Sequence, residues 1–227
     1  MTAADIHVRR ATEADIPFLV ECIIAAEKSG TDKLSYCNIF GLPETDFRGM
    51  LTEILEEDVP GQELCVSGFL MAERDGQPAG AICSWIEGTG SKASTLIKGS
   101  LLMHFIGRER ISAAAPHLKL MEALSLPRAS GALQLESVYV GAAHRGQGIC
   151  ARLLDEHQAL ARRDHPAVQR AQIILAKGNG AALAAYERAG FAITEERSSP
   201  DPRVLDLLPA ASKVLMERPL RTSTPGA

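Results

Sequence analysis

The sequence predicts an α/β domain built on one mixed sheet. Three observations carry this. A hairpin pattern lies between Phe69 and Ile86. Two consecutive strand–helix units lie between Leu135 and Ala189. The 227-residue chain shows no repeat and no internal linker, so one domain spans 1–227. Hydrophobic residues at 46% and charged residues at 23% describe an ordinary soluble globular chain. With 24 Lys+Arg against 28 Asp+Glu, the net charge of -4 offers no general electrostatic grip on nucleic acid or acidic lipid.

Ile6 to Arg10 alternates apolar and polar residues and reads as a strand. Thr12 to Asp15 resembles a cap, and Pro17 suits a helix's first turn. Ile16, Leu19, Val20, Ile23 and Ile24 form one apolar face, with Gly30 as the stop. Thr45 is the expected cap of a second helix. Its stripe runs through Phe47, Met50, Leu51, Ile54 and Leu55 and ends at Pro60-Gly61. Strands over Phe69–Glu73 and Ala79–Ile86 meet at an Asp75-Gly76 turn. Residues 87–130 read as a loop followed by helices over Leu96–Ile111 and Leu118–Leu124. The strand ending Leu135–Val140 leads into a helix over Gln147–Arg163. A strand over Gln172–Ala176, a helix over Ala181–Ala189 and an extended stretch from Phe191 to Glu195 follow. Val214–Glu217 forms the last strand, and 220–227 is expected to be a flexible tail.

The sharpest local feature is His144-Arg145-Gly146-Gln147-Gly148-Ile149-Cys150, between a strand and an amphipathic helix. Glycines allow a tight turn and close approach of a ligand. The helix start exposes unpaired N–H groups and the positive end of the dipole, which suits phosphate or pyrophosphate. Arg145 adds a bidentate-capable charge. Gly146-x-Gly148-x-x-Ala151 also matches a dinucleotide fingerprint, but the following strand ends Leu175-Ala176-Lys177, without the acidic residue that a ribose site expects. The five cysteines include no C-x-x-C pair and the histidines are scattered, so no metal site is expected. The first residues lack an apolar signal core, and no apolar run approaches membrane-spanning length. A cytoplasmic setting without membrane or nucleic-acid partners is the expectation.

Two linked blocks resemble the Gcn5-related N-acetyltransferase (GNAT) superfamily. The first is Arg145-Gly146-Gln147-Gly148-Ile149-Cys150, similar to that family's Arg/Gln-x-x-Gly-x-Gly/Ala motif, with Cys150 departing from the usual small residue. The second is Asn179 to Phe191, similar to the Asn-x-x-Ala…Tyr…Gly-Phe signature. The resemblance implies a mostly antiparallel central sheet flanked by helices, with 87–130 a helical insertion between the third and fourth strands. It implies acetyl-CoA as cosubstrate. The strand Val138-Tyr139-Val140 would receive the pantetheine arm, and residues 145–150 the pyrophosphate. Asn179 would lie beside the pantetheine or order its own helix. The implied reaction is direct attack of a primary amine on the thioester, with Tyr186 as general acid and Glu136 as the base candidate. A carboxylate on a substrate or a strand edge is the competing role for Glu136. A bulge would decide which face Glu136 shares, because plain alternation groups it with Val138 and Val140.

A small amine is the first acceptor expectation and a peptide the second. A roofed pocket would favour the former, an open groove the latter. A non-catalytic CoA-binding module is the alternative outside enzymes, and a homodimer is a weaker expectation. Glu21, Glu27 and His104 are read as surface residues ahead of acceptor ligands. Tyr36 and Trp85 fit an acceptor cleft and core packing equally. Cys150 reads as a packed small residue ahead of a nucleophile, and Arg108, Arg110, Arg162 and Arg163 as solvated helix charges.

Overall fold

The computed structural model describes residues 6–90 and 92–220. Seven strands form one sheet in the order β1-β2-β3-β4-β5-β7-β6. They are β1 (Ile6–Arg10), β2 (Phe69–Arg74), β3 (Gln77–Ile86), β4 (Leu133–Val140), β5 (Arg170–Ala176), β6 (Ala192–Ser198) and β7 (Ser212–Pro219). Every neighbouring pair is antiparallel except β4 and β5. The β2–β3 hairpin turns at Asp75 and Gly76, both at positive φ as a two-residue hairpin turn requires.

Helices cover both faces. On one face lie α1 (Ile16–Lys28), α2 (Ser35–Phe40) and α3 (Glu44–Glu57). Their apolar stripes, with Leu19, Ile23, Phe47 and Leu51 fully buried, pack against Phe69, Met71 and Cys83 of the sheet. On the other lie α7 (Ile149–Asp164) and α8 (Gly180–Arg188), whose Leu153, Leu154 and Tyr186 pack against Ile82, Leu135 and Met216. Arg9 ties the first edge together through Asp15 and Glu73, each at 2.7 Å.

The insertion holds α4 (Ser94–Ile106), α5 (Arg108–Ala113) and α6 (Ala115–Met121) between β3 and β4. The single helix expected from Leu96 to Ile111 is broken at Gly107, whose φ of 86 and ψ of 150 no helix accommodates. Buried Glu87 pins the insertion's entry, accepting from Trp85 Nε1 at 2.9 Å and from the Ser94 N–H at 3.0 Å. Burial, the largest influence, works to raise the Glu87 pKa. Those hydrogen bonds and nearby Arg128 outweigh it and hold the carboxyl below its ordinary value. Arg110 donates to the Gly41 carbonyl, and His117 pairs with the Ile39 carbonyl, so the insertion is clamped to α2.

Several sequence expectations need correction. Thr45 does not cap α3, because Pro43 occupies that position and Thr45 lies within the first turn. α7 starts at Ile149 rather than Gln147, because Gly148 is its left-handed N-cap. Two short helices, α2 and α9 (Val204–Leu207), were not expected at all. Leu220 does not belong to a tail. It is buried, and its N–H donates to the Gln169 carbonyl at 2.8 Å. The rest of the expected tail, 221–227, and the first five residues lie outside the described residues. No helix among the described residues is long and apolar enough to cross a membrane.

Candidate active site

The site begins where two strands part. β4 and β5 pair only from Leu133–Ala171 to Leu135–Ile173. Beyond that point β4 stays with β3 as far as Val140, while β5 stays with β7 as far as Ala176. The β4 edge over 136–140 therefore has no strand partner on its β5 side. A free strand edge offers N–H and C=O groups to an extended, amide-bearing ligand.

A bulge lies at the same place. Cys83 faces Glu136 and Ala81 faces Tyr139, so Ser137 and Val138 together oppose Ile82. Ser137 takes φ 50, the left-handed conformation that one extra residue demands. The bulge reverses the alternation. Val138 and Val140 join the α7 face with Leu133 and Leu135. Tyr139 packs edge-on against Phe18 of α1, with ring centroids 6.0 Å apart. Glu136 is thereby separated from Val138 and Val140, contrary to plain alternation.

On the α7 side the glycine-rich turn follows β4. Gly146 and Gly148 have φ of 75 and 81, which side-chain-bearing residues rarely adopt. The N–H groups from Gly146 to Cys150 find no acceptor among the described residues, and the first N–H to regain one is Arg152, on the Gly148 carbonyl. Arg145 is exposed, and its Nε alone is tied, to the Val140 carbonyl at 3.2 Å. Gln147 folds back onto the Ala143 carbonyl at 3.1 Å. The Ile149 side chain is core, 1% exposed, so only its backbone faces the turn. Burial raises the Cys150 thiol to about 11, so it is a packed neutral side chain and no thiolate nucleophile. Asn179 orders its own helix, with Oδ1 accepting from the Ala182 N–H at 3.2 Å. Tyr186 is buried against Phe191, and its hydroxyl has no protein partner among the described residues. Burial, with Cys150 and Glu136 adding to it, pushes the phenol well above its ordinary pKa and keeps its proton in place.

On the α1 side the gap opens into a cavity of about 280 Å³. Its walls are α1, α2, β4 and β5, and the insertion roofs it with Thr95, Lys98, Leu126 and Arg128. Glu136 lines it and is held by Arg128, whose Nη2 donates to Oε1 at 2.6 Å. Arg128 lies 5.0 Å over the Trp85 ring and donates to Gln134. From Gln134 a chain of side-chain bonds runs through Gln172, at 2.7 Å, to Glu217, at 2.6 Å. The orientation of Arg128, and through it of Glu136, is thus fixed from the sheet. Lys98 is paired to Glu63. Glu27 and Lys213 also line the cavity, and neither side chain has a hydrogen bond or ion pair among the described residues.

Of the sequence-predicted residues, Val138, Val140, the turn at 145–150 and Asn179 gather on the α7 side of the gap, and Glu136 and Tyr139 on the other. Tyr186 lies on the α7 side and senses the charge of Glu136. Tyr36 lines the cavity and stacks on Phe47, with ring centroids 5.1 Å apart. Trp85 supports Arg128 from below. Glu21 is exposed and paired to Arg48, and His104 is exposed on α4. Glu27, read as a surface residue, lines the cavity instead. Glu63, Lys98, Arg128 and Lys213 carried no sequence signal.

A family model described as the Acetyltransferase (GNAT) family matches residues 37–191. No curated protein matches the sequence. Among solved structures, an N-acetyltransferase from Staphylococcus aureus Mu50 is similar at 17% identity and a TM-score of 0.62, covering 93% of this chain and 100% of that one. A ribosomal-protein-alanine N-acetyltransferase from Brucella melitensis is similar at 19% identity and a TM-score of 0.52, covering 94% and 99%. A putative acetyltransferase from Salmonella typhimurium, solved with its cofactor acetyl-CoA, is similar at 14% identity and a TM-score of 0.52, covering 99% of each chain. At these identities the likeness is one of fold.

Proposed function

The chain belongs to the Acetyltransferase (GNAT) family, and from that premise we propose that it transfers the acetyl group of acetyl-CoA directly to the primary amine of a small molecule. The observation that carries this is the parting of β4 from β5. It joins an anion-ready turn on one face to a small roofed cavity on the other. A cavity of about 280 Å³ sits at the small end of ligand sites, and the insertion supplies one of its walls, which favours a small molecule over an extended peptide.

In this reading the N–H groups of 146–150 and the free guanidinium nitrogens of Arg145 hold the pyrophosphate. The β4 edge pairs with the pantetheine amides. The neutral amine attacks the thioester carbonyl, a C–N bond forms and the C–S bond breaks. Tyr186 gives its proton to the departing thiolate. Glu136 keeps Oε2 free of Arg128 and accepts the amine's proton. Because a thioester is already activated, most of the rate comes from holding amine and carbonyl together.

The test is release of free coenzyme A from acetyl-CoA across a panel of small amines and peptides, with acetylated products identified by mass. Turnover of small amines supports the proposal. Turnover confined to peptides replaces it with the peptide reading. Binding of acetyl-CoA with no turnover on any acceptor leaves a CoA-binding module.

A further inference from the structure

The cavity beside the β4–β5 gap contains three carboxylates, Glu27, Glu63 and Glu136, and three cations, Lys98, Arg128 and Lys213. Two pairs neutralise each other inside the protein, Glu63 with Lys98 and Glu136 with Arg128. The remaining two do not. Lys213 projects from β7, where its backbone neighbours are Ala176 of β5 and Arg197 of β6, and it faces the cavity. Glu27 faces the same space from the last turn of α1. The two are further apart than the 4.0 Å of an ion pair, and neither has another partner among the described residues.

Both side chains keep some contact with solvent through the cavity, yet both are surrounded by protein and pay for it in desolvation. Burial, its largest influence, lowers the Lys213 pKa against the pull of Glu27 and Glu136. Burial likewise raises that of Glu27 against the pull of Lys213 and Lys98. A protein gains nothing in stability from two desolvated charges left apart. The cost is recovered when a ligand supplies the missing partners.

We propose that the acceptor amine also carries a carboxylate, as an amino acid does, and that Lys213 binds that carboxylate while Glu27 faces the cationic amine. Lys213 is the group of choice for the anion because Arg128 and Lys98 are already committed to Glu136 and Glu63. Opposite charges facing one small cavity without an ion pair between them select a ligand with the complementary pair and disfavour plain diamines, which would leave Lys213 facing a like charge. This inference rests on the small-amine transferase reading.

The experiment uses matched acceptors: the common amino acids, each beside its α-amide and its decarboxylated amine. Wild type, Lys213→Met and Lys213→Arg are compared by coenzyme A release. Acetyl-CoA affinity is measured on the same samples as a check of folding. Wild type should prefer one or more acids over their carboxylate-free partners by at least about 30-fold in kcat/KM. Lys213→Met should erase that preference, chiefly by raising KM for the acids, with no matching loss on the carboxylate-free amines. Lys213→Arg should restore much of it. Equal or better turnover of the amides and decarboxylated amines by wild type overturns the proposal while leaving the transferase standing. So does an equal loss on both kinds of acceptor in Lys213→Met. Should Lys213→Met fail to bind acetyl-CoA, Lys213→Arg and the wild-type preference decide alone. Absence of turnover on every acceptor, with acetyl-CoA bound, removes the transferase reading and this inference with it.

Discussion

His157 and Lys213 lie on opposite faces of the same sheet, and both are desolvated. They differ in how their polar atoms are satisfied. His157, on α7, pairs Nδ1 with the Ser84 hydroxyl at 2.8 Å and Nε2 with the Ile82 carbonyl at 2.8 Å. The carbonyl can only accept, so Nε2 carries the proton, and Nδ1 accepts from Ser84. Nothing is left over for a ligand. The side chain of Lys213, like that of Glu27 and the Tyr186 hydroxyl, has no such partner among the described residues. The difference separates two uses of a buried polar group. A satisfied group specifies the fold, whereas an unsatisfied one is held ready for something that arrives from outside.

That contrast is broken most readily at Tyr186. If its hydroxyl serves only the reaction, Tyr186→Phe should lower kcat by about 100-fold or more. Its melting temperature should stay unchanged, because no protein hydrogen bond is lost. Acetyl-CoA affinity should also hold. A large drop in stability would move Tyr186 into the class of His157, and unchanged kcat would remove it from the chemistry.

His157 should behave in the opposite way. His157→Ala opens a cavity and leaves the Ser84 hydroxyl and Ile82 carbonyl without partners. It should cost about 3 kcal/mol in denaturant unfolding. The folded fraction should keep wild-type kcat/KM. A pH series sharpens the point. Burial, which outweighs the Ile82 hydrogen bond, lowers the His157 pKa from 6.5 to about 4. Below pH 6.5 the unfolded chain takes up a proton that the native state refuses. Stability contributed by this group is therefore complete above pH 6.5 and falls away toward pH 4, by about 3 kcal/mol in all. In His157→Gln the slope across that window should flatten. An equal slope in wild type and variant would show that other groups control acid unfolding.

The same distinction governs what could be read before the fold was known. The turn at 145–150 was legible because glycine spacing, a preceding strand and a following amphipathic helix are local features. The helices α1, α3 and α7 and the β2–β3 hairpin were legible for the same reason. A bulge in this strand was anticipated, but its position at Ser137 was not legible, since serine carries no signature of a positive φ. α2 and α9 escaped because at six and four residues they are too short for periodicity to register. Glu27 looked like a solvent-facing residue beyond the apolar stripe of α1. Lys213 lies just ahead of the expected Val214–Glu217 strand and carries no signal of its own. Both become cavity residues only because β4 and β5 part beside them and the insertion supplies the facing wall. The Arg128–Gln134–Gln172–Glu217 chain joins residues far apart in sequence, so no local pattern could announce it.

Arg145 lies between the two classes and should give the smallest effect. One nitrogen is tied to the Val140 carbonyl, which aims the side chain, and the remaining donors have no acceptor among the described residues. Arg145→Ala should therefore weaken coenzyme A binding by about 10-fold, the size of one charge-assisted contact. Stability should barely change at this exposed position. Arg145→Lys keeps the charge but loses the fork and the Val140 anchor, so its affinity should fall between the two. Titration calorimetry with coenzyme A and with its dephospho form separates contacts to the pyrophosphate from contacts to the ribose phosphate. If Arg145 serves the pyrophosphate, the loss should be the same for both ligands. A loss seen only with intact coenzyme A would place Arg145 on the ribose phosphate, leaving the backbone N–H groups of 146–150 to hold the pyrophosphate without it.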